Sequence, residues 1–350
     1  MEKILNLNGL GVSGRQNELV ELALTFNFNT VEVDMNDLIG RHDTMGKDFA
    51  CQFLQSAKIN IGSSSIPINL EASDEVFKTE CEKIDTIISL CEALGAKRLR
   101  IPISTTSDEA FQANFERYQK RLAELGDKFG AKEIRLGLVL QPKGSSSFSN
   151  KFVETPEEIM TLVKTVGHKN VGLCLDTWQW QASGGAMDQI SELDVANITE
   201  VAMCDIISTA DVSDIKKGDR VLPGGEADSF SEKVLNHLKS SNYEGAVSIS
   251  TAGSLFANMN RDKAVHRVSQ TLDRLISGES IYEPIIDFRA SLEAESGDKD
   301  KPAEGEKPAD DAAKADDSKG EAEAKADVKA DAKTDAKTPA EGEKATAAAE

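Results

Sequence analysis

Short runs of aliphatic and β-branched residues alternate with longer amphipathic stretches through the first 280 residues of this chain. Runs of about four to eight such residues indicate buried strands, whereas apolar positions that recur every three or four residues indicate helices. The pattern predicts strands at 4–8, 30–34, 58–62, 97–103, 133–141, 171–176, 198–205 and 245–250. It predicts helices at 18–28, 47–57, 74–94, 108–129, 156–166, 229–239 and 262–276, with a loop between residue 34 and the helix at 47.

This regular alternation predicts an α/β fold with parallel strands, because a strand can return parallel to its predecessor only after a crossover, which a helix usually supplies. Eight strand–helix units fit a closed (β/α)₈ TIM barrel better than an open sheet. The segment GLGVSG at 9–14 lacks the glycine spacing of a dinucleotide-binding loop. In a barrel of this kind, ligands bind at the carboxyl ends of the strands.

The composition changes sharply near residue 296. Residues 296–350 contain 16 Asp and Glu, 10 Lys and 16 Ala, and no aromatic residue, Leu or Ile. Such a segment cannot bury enough apolar surface to offset its conformational entropy. We therefore expect a barrel domain at 1–290 and a disordered, low-complexity acidic tail at 291–350. The tail either serves only as a solvated charged segment or binds a protein partner.

The chain carries 60 Asp and Glu against 40 Lys and Arg, a net charge of −20. It therefore repels phosphates, and nucleic acid and anionic membranes are poor partners. No apolar window approaches the roughly 20 residues that span a bilayer, and no basic and apolar leader opens the chain. The five Cys are widely spaced and form no CxxC pair. These features favour a cytoplasmic protein without a disulfide framework.

The segment GLCLDTWQWQASGG at 172–185 is the most informative stretch, because Asp176 ends a predicted buried strand and both Trp residues follow it. It resembles the DTxH segment of the xylose isomerase-like TIM barrels, the sugar phosphate isomerase/epimerase superfamily. The resemblance continues in the same order to about residue 285. Its further segments are FNFNTVEVD (26–34), ALGAKRLRI (93–101), IRLGLVLQP (134–142), GDRVLPGGEADS (218–229) and EGAVSIS (244–250).

This resemblance implies a divalent metal, held at the strand ends by carboxylates and His, which polarises a sugar carbonyl while flanking carboxylates move a proton. Of the ligand positions that the resemblance implies, the sixth strand keeps its Asp as Asp176. The His of DTxH is replaced by Gln179, and a second His by Gln181. The positions on strands five, seven and eight carry Val139, Ala202 and Ser250.

Because Val and Ala offer no ligand and Ser and Gln are weak neutral ones, we expect the metal to be lost and no cofactor to take its place. The first hypothesis is a pseudoenzyme, a barrel without the family's isomerase activity that binds a small polyol or sugar, or a protein partner. The alternative is an active sugar isomerase or epimerase with a rearranged site, in which Asp176 is joined by Glu32, Asp205 or Cys204. A nuclease of the endonuclease IV type, which shares the barrel, conflicts with the four poorly placed His and the acidic charge. The sequence predicts no oligomeric state.

The mouth of the predicted barrel carries a polar and largely uncharged set of candidate ligand-binding residues. Amides and indoles alternate after the sixth strand, so a strand extension would carry amides on one face and indoles on the other. Amides beside aromatic rings suit hydroxyl-rich ligands, although the same rings can instead pack against helices. The set is Gln141, Asp176, Trp178, Gln179, Trp180, Gln181, Asp205, Arg220 and Ser250.

Several further side chains have two open roles. Arg220 faces an anionic substrate group, as the resemblance implies, or pairs with Asp219 or Glu226. Cys174 faces the barrel interior or packs in the core, and His42 lies in a predicted loop near the mouth, where a lone His is usually solvated. Glu32 points inward or pairs with an arginine of the fourth strand, Arg98 or Arg100.

Overall fold

The computed structural model describes residues 1–145, 147–207, 219–225, 228–251, 255, 256 and 258–279. The acidic tail at 291–350 lies outside these residues, and its disorder and its boundary with the barrel stay predictions.

Eight parallel strands form one sheet in the described part of the chain. Their bounds are β1 Glu2–Leu5, β2 Thr30–Glu32, β3 Asn60–Ser63, β4 Arg98–Ile103, β5 Arg135–Leu140, β6 Val171–Asp176, β7 Ile198–Met203 and β8 Ala246–Ile249. The order in space is β3-β2-β1-β8-β7-β6-β5-β4, and every pair of neighbours is parallel. All eight predicted strands are therefore confirmed.

The two strands at the ends of this order, β3 and β4, meet immediately beyond the end of β3. Ser65 and Arg100 form a parallel bridge. The amide of Arg100 donates to the carbonyl of Ser64 over 2.8 Å, and the amide of Ile66 donates to the carbonyl of Arg100 over 3.1 Å. These bonds close the sheet into a barrel, which confirms the predicted (β/α)₈ class.

Helices follow the strands along the chain. Their bounds are α1 Leu7–Leu10, α2 Gln16–Thr25, α3 Met35–Met45, α4 Lys47–Ser56, α5 Asp74–Cys81, α6 Ile84–Ala93, α7 Phe111–Gly130, α8 Pro156–Val166, α9 Thr177–Ala182, α10 Met187–Ser191, α11 Phe230–Ser240 and α12 Arg261–Ser277. Among the described helices, none has both the length and the apolar character needed to cross a membrane.

Two helix predictions are wrong in detail. The predicted loop after residue 34 is helix α3, because Asp34 caps its first turn and the helically spaced Leu38 is buried. His42 therefore lies in a helix. The single helix predicted at 74–94 is two helices, α5 and α6, because the chain tightens into a turn with shorter-range amide bonds at Glu82 and Lys83.

Strand β5 shows how the sheet separates the core from the site. Leu136, Leu138 and Leu140 are buried in the hydrophobic core, and the strand packs against α7 and α8. Successive strand residues point to opposite faces, so Val139 points to the other face of the sheet. In a closed barrel that face is the interior, which opens at the carboxyl ends of the strands.

Candidate ligand site at the barrel mouth

The carboxyl ends of the strands surround a cavity of about 170 Å³. A cavity of about 150 Å³ holds a benzene-sized molecule, so this one accommodates a small ligand. Among its described lining residues, Asp176 is the one carboxylate and Arg100 the one cation. The lining residues are Asn6, Ser65, Arg100, Pro102, Val139, Gln141, Cys174, Asp176, Ala202 and Ser250.

Four positions at which the resemblance places metal ligands line this cavity together, namely Val139, Asp176, Ala202 and Ser250. They lie on or directly after the neighbouring strands β5, β6, β7 and β8. Asp176 and Ala202 are paired residues in the register of β6 and β7. The four side chains therefore meet in space, and they offer one carboxylate, one hydroxyl and two apolar groups.

Asp176 ends β6 and caps the short helix α9, where its Oδ1 accepts from the amide of Gln179 over 2.9 Å. Its Oδ2 lies 3.8 Å from Nη1 of Arg220, a distance that suits an ion pair but not a hydrogen bond. The side chain of Asp176 is 17% exposed, so it remains accessible from the cavity.

Arg220 is buried against the indole of Trp178, with its guanidinium carbon 4.0 Å from the ring centroid. Its Nη1 donates to the carbonyl of Ser250 over 2.7 Å. Its Nε is buried and has no acceptor in the described structure. The structure thus places Arg220 at the mouth, whereas Glu226, one of its predicted partners, lies outside the described residues.

Four of the predicted ligand residues lie on helix α9, so the predicted strand extension with amides on one face is wrong. A helix turns by about 100° per residue, which spreads alternate residues over different faces. Trp180 lies in the hydrophobic core. Gln179 is 3% exposed and donates to the carbonyl of Gln141 over 3.2 Å and to Oγ of Ser183 over 2.8 Å. Gln181 is half-buried, and none of the four residues, Trp178 included, lines the cavity.

Asp205 follows β7 but turns away from the cavity. It is buried, with Oδ1 accepting from the amide of Ser231 over 2.9 Å and Oδ2 from the amide of Gly224 over 3.4 Å. Burial raises the pKa of Asp205, while hydrogen bonds from hydroxyl and amide groups oppose that shift. Asp205 therefore stabilises the start of α11 through its hydrogen bond with Ser231, and it does not join Asp176 in one site.

One layer below the mouth, Glu32, Arg100, Glu200 and Cys174 form a buried cluster. The guanidinium of Arg100 donates through Nε to Glu200 and through Nη1 to Glu32. The thiol of Cys174 donates to Oε1 of Glu200 over 3.1 Å. Glu32 therefore both points inward and pairs with Arg100, whereas Arg98 pairs elsewhere.

Sequence reasoning missed Glu200 altogether and treated Arg100 only as a partner of Glu32. Glu200 lies two residues before Ala202 on β7, and Arg100 lies two residues before Pro102 on β4, so each side chain points into the barrel below the lining. The available signal was a carboxylate in the middle of a strand that is otherwise apolar and that is buried throughout.

Burial governs the protonation of this cluster. Burial raises the pKa of Glu32. The charge of Arg100 opposes this increase, and the charge of Glu200 adds to it. Burial by itself would lower the pKa of Arg100, but Glu200 and Glu32 raise it well above its usual value, so the guanidinium is charged. Burial and the charge of Glu200 raise the pKa of Cys174, which therefore stays a neutral thiol.

The side chains at the mouth do not fit a divalent metal. In the described part of the chain, no three His, Cys, Asp or Glu side chains come together in a way that would hold an ion. Hard cations need several anionic or carbonyl oxygens, and zinc needs nitrogen or sulfur ligands beside them. At this mouth a single carboxylate, Asp176, lies beside the guanidinium of Arg220, which would repel a cation.

A larger cleft of about 710 Å³ lies beside the ends of β1 and β2. Several of its charged groups already have partners, since Arg41 pairs with Asp37 over 2.8 Å and Asp34 caps α3. Its lining comes from the ends of β1 and β2, Glu32 included, and from the helices near them, whereas the smaller cavity is lined by residues on or just after seven of the eight strands. The smaller cavity at the centre of the ring of strand ends is therefore the candidate site.

Comparison with known proteins agrees with this fold. Residues 20–274 match the family described as xylose isomerase-like TIM barrel. An inosose isomerase from Halalkalibacterium halodurans is 27% identical over 158 residues, which are 45% of this chain and 52% of that protein. The match thus spans about half the length of this curated relative.

Solved structures of similar fold cover most of the chain. A xylose isomerase domain protein from Alicyclobacillus acidocaldarius superposes with a TM-score of 0.70 at 21% identity, covering 79% of this chain and 98% of that one. The IolI protein with a bound zinc atom gives 0.66 at 19% identity, covering 79% and 99%. A D-psicose 3-epimerase with D-tagatose from Clostridium cellulolyticum H10 gives 0.59 at 15%, covering 81% and 100%. These similarities show the fold, and the family match shows that the chain belongs to the xylose isomerase-like TIM barrel family.

Proposed function

We propose that the mouth of this barrel binds a small hydroxylated ligand, such as a sugar or polyol, and that the chain does not catalyse the metal-dependent isomerisation that the resemblance implies. The observation that carries the proposal is the lining of the mouth cavity. Where four expected ligand positions meet, only Asp176 offers a carboxylate. Apart from the guanidinium of Arg100 and the thiol of Cys174, the other polar groups of the lining are neutral amides and hydroxyls, those of Asn6, Ser65, Gln141 and Ser250.

This set of groups suits hydroxyl recognition. A hydroxyl group donates one hydrogen bond and accepts others. Amides and serine hydroxyls also both donate and accept, so they can pair with a ligand hydroxyl in either role. Asp176 accepts from a ligand hydroxyl through Oδ2, since Oδ1 is engaged by the amide that starts α9. The relatives named for inosose and D-psicose support a polyhydroxylated ligand.

Binding is tested by titration calorimetry of the full chain with an inosose, D-psicose and D-tagatose in buffer containing EDTA. We expect saturable binding of at least one sugar without added metal. Asp176→Asn should weaken it by at least about tenfold, because the variant loses a charged acceptor. Asp127→Asn, on the exposed face of α7 beside His168, is the matched control and should bind as the unaltered protein does.

The loss of metal dependence is tested by elemental analysis of the purified protein and by its thermal midpoint with Mg²⁺, Mn²⁺, Co²⁺ and Zn²⁺. We expect no stoichiometric ion and no specific stabilisation, because the mouth offers one carboxylate beside a guanidinium. A stoichiometric ion, or a stabilisation that Asp176→Asn abolishes and Asp127→Asn leaves intact, would contradict the proposal.

A metal-free isomerase or epimerase is the second candidate, favoured by the accessible carboxylate of Asp176 beside the cation of Arg220. Such an enzyme would exchange the hydrogen next to the sugar carbonyl. Incubation of the same sugars in D₂O and EDTA, followed by proton NMR, distinguishes the two functions. Deuterium incorporation that disappears in Asp176→Asn would replace the binding proposal by this one.

A further inference from the structure

We propose that Arg100 binds the carboxylate of a small hydroxy acid at the inner end of the mouth cavity. The inference rests on the proposed function, because it assigns a ligand class to the same cavity. Arg100 and Pro102 both line the cavity, and Arg100 comes two residues earlier on β4, so it forms the deeper part of the wall.

The guanidinium of Arg100 is held in one orientation by two carboxylates. Nε donates to Glu200 and Nη1 donates to Glu32, on strands on either side of the barrel interior. The remaining nitrogen, Nη2, is buried and has no acceptor in the described structure. A buried donor without an acceptor costs about 1–3 kcal/mol, and a ligand oxygen that displaces the lining beside Arg100 would relieve this cost.

A second guanidinium, that of Arg220, lies behind the lining residues Asp176 and Ser250 and is not itself part of the lining. Arg220 is only 7% exposed, rests on Trp178 and donates to the carbonyl of Ser250. Its Nε has no acceptor in the described part of the chain. The charged guanidinium of Arg100, with one unused donor, favours a carboxylate over a hydroxyl, because a hydrogen bond between two charged groups is stronger than one to a neutral oxygen.

Arg100 supplies a positive charge for an anionic ligand. Glu200 and Glu32 hold its pKa well above the usual value, so the guanidinium stays charged. The cavity of about 170 Å³ matches one end of a ligand, and glycerate, a three-carbon hydroxy acid, is of this size.

The test compares two matched pairs of probes at constant ionic strength, glycerate with glycerol and erythronate with erythritol. We expect both acids to bind in a saturable manner by calorimetry, and at equal concentration they should bind more tightly and raise the thermal midpoint further than their neutral partners do. Arg100→Met should weaken glycerate binding by at least about tenfold. Arg98→Met is the control, because Arg98 lies on the same strand and pairs with Glu2 outside the cavity.

Removing Arg100 alone leaves two buried carboxylates without a cationic partner, which can prevent folding. Two other variants therefore make the test independent of that outcome. The triple variant R100M/E32Q/E200Q removes the cluster's charges together, and Ala202→Leu fills the cavity while every residue of the cluster is kept. Both should lose glycerate binding.

The outcomes separate the two proposals. Equal binding of glycerate and glycerol, or unaltered glycerate binding in the triple variant and in Ala202→Leu, would overturn the inference and leave the proposed function standing. Failure of the acids, the neutral probes and the sugars alike would overturn both.

Discussion

Arg100 determines the electrostatic character of the mouth. Where the resemblance implies a metal cation held by carboxylates, this chain has a guanidinium held by Glu32 and Glu200. Unlike a metal ion, the guanidinium is part of the chain. The free-energy cost of removing it from water is offset only while both carboxylates stay in place. Removing one partner of such a buried ion pair typically lowers the free energy of unfolding by about 3–5 kcal/mol, because the other charge is left buried without a partner.

Glu32 makes stability depend on pH in a defined direction. Burial raises the pKa of Glu32 in the folded chain above the ordinary value of 4.5. At a pH between the ordinary and the raised pKa, the unfolded chain has released a proton that the folded chain retains. The contribution of Glu32 to the free energy of unfolding is therefore fully present below the ordinary value and is lost as pH rises through the raised pKa.

We expect urea denaturation from about pH 4 to about pH 8 to show this loss as a difference between the unaltered protein and Glu32→Gln. The free energy of unfolding of the unaltered protein should fall with pH relative to that of the variant, which cannot titrate at this position. Glu18→Gln is a contrasting control, because its pKa is lowered and its contribution changes in the opposite direction. Parallel curves for the unaltered protein and Glu32→Gln would contradict the assignment.

At the scale of elements, helix α8 is a case in which local sequence signals predict where a helix begins. Thr155 before Pro156 predicts a capped helix start, and the structure has it. Oγ1 of Thr155 accepts from the amide of Glu158 over 3.3 Å, and the carboxylate of Glu158 accepts from the amide of Thr155 over 3.0 Å. This reciprocal pair satisfies two amides that the helix itself leaves unpaired.

Thr155→Ala should therefore lower the free energy of unfolding by about 0.5–2 kcal/mol, because it removes the capping acceptor. Thr155→Ser keeps the hydroxyl and should retain most of the stability. Chemical denaturation of the two variants measures the difference, and equal losses for Ala and Ser would show that the methyl group, and not the cap, is responsible.

Helix α9 shows where such signals fail. Its alternating Trp and Gln have the two-residue period of a strand, yet Asp176 caps the segment and makes it a helix. Gln179 is consequently directed to the backbone of Gln141 instead of the cavity. The period was visible in the sequence, but the capping bond that overrides it depends on where β6 ends.

For the whole molecule, the sequence predicted the barrel and part of its mouth. Eight strands followed from hydrophobic periodicity, and the meeting of Val139, Asp176, Ala202 and Ser250 followed from the ends of neighbouring strands. The Arg100–Glu200 pair could not be predicted in this way, because its members are 100 residues apart and face each other across the interior. Local patterns define which residues point inward, whereas partners across a barrel depend on register and on the width of the interior.

The bridge that closes the sheet has a consequence for ligand binding. The backbone of Arg100 bonds to Ser64 and Ile66 at the seam between β3 and β4, while its side chain forms the deep wall of the cavity. Any opening of the seam at this residue also displaces the guanidinium. If Arg100 holds a ligand as proposed, that ligand would also stabilise this seam, at which strand pairing rests on a single bridge among the described residues.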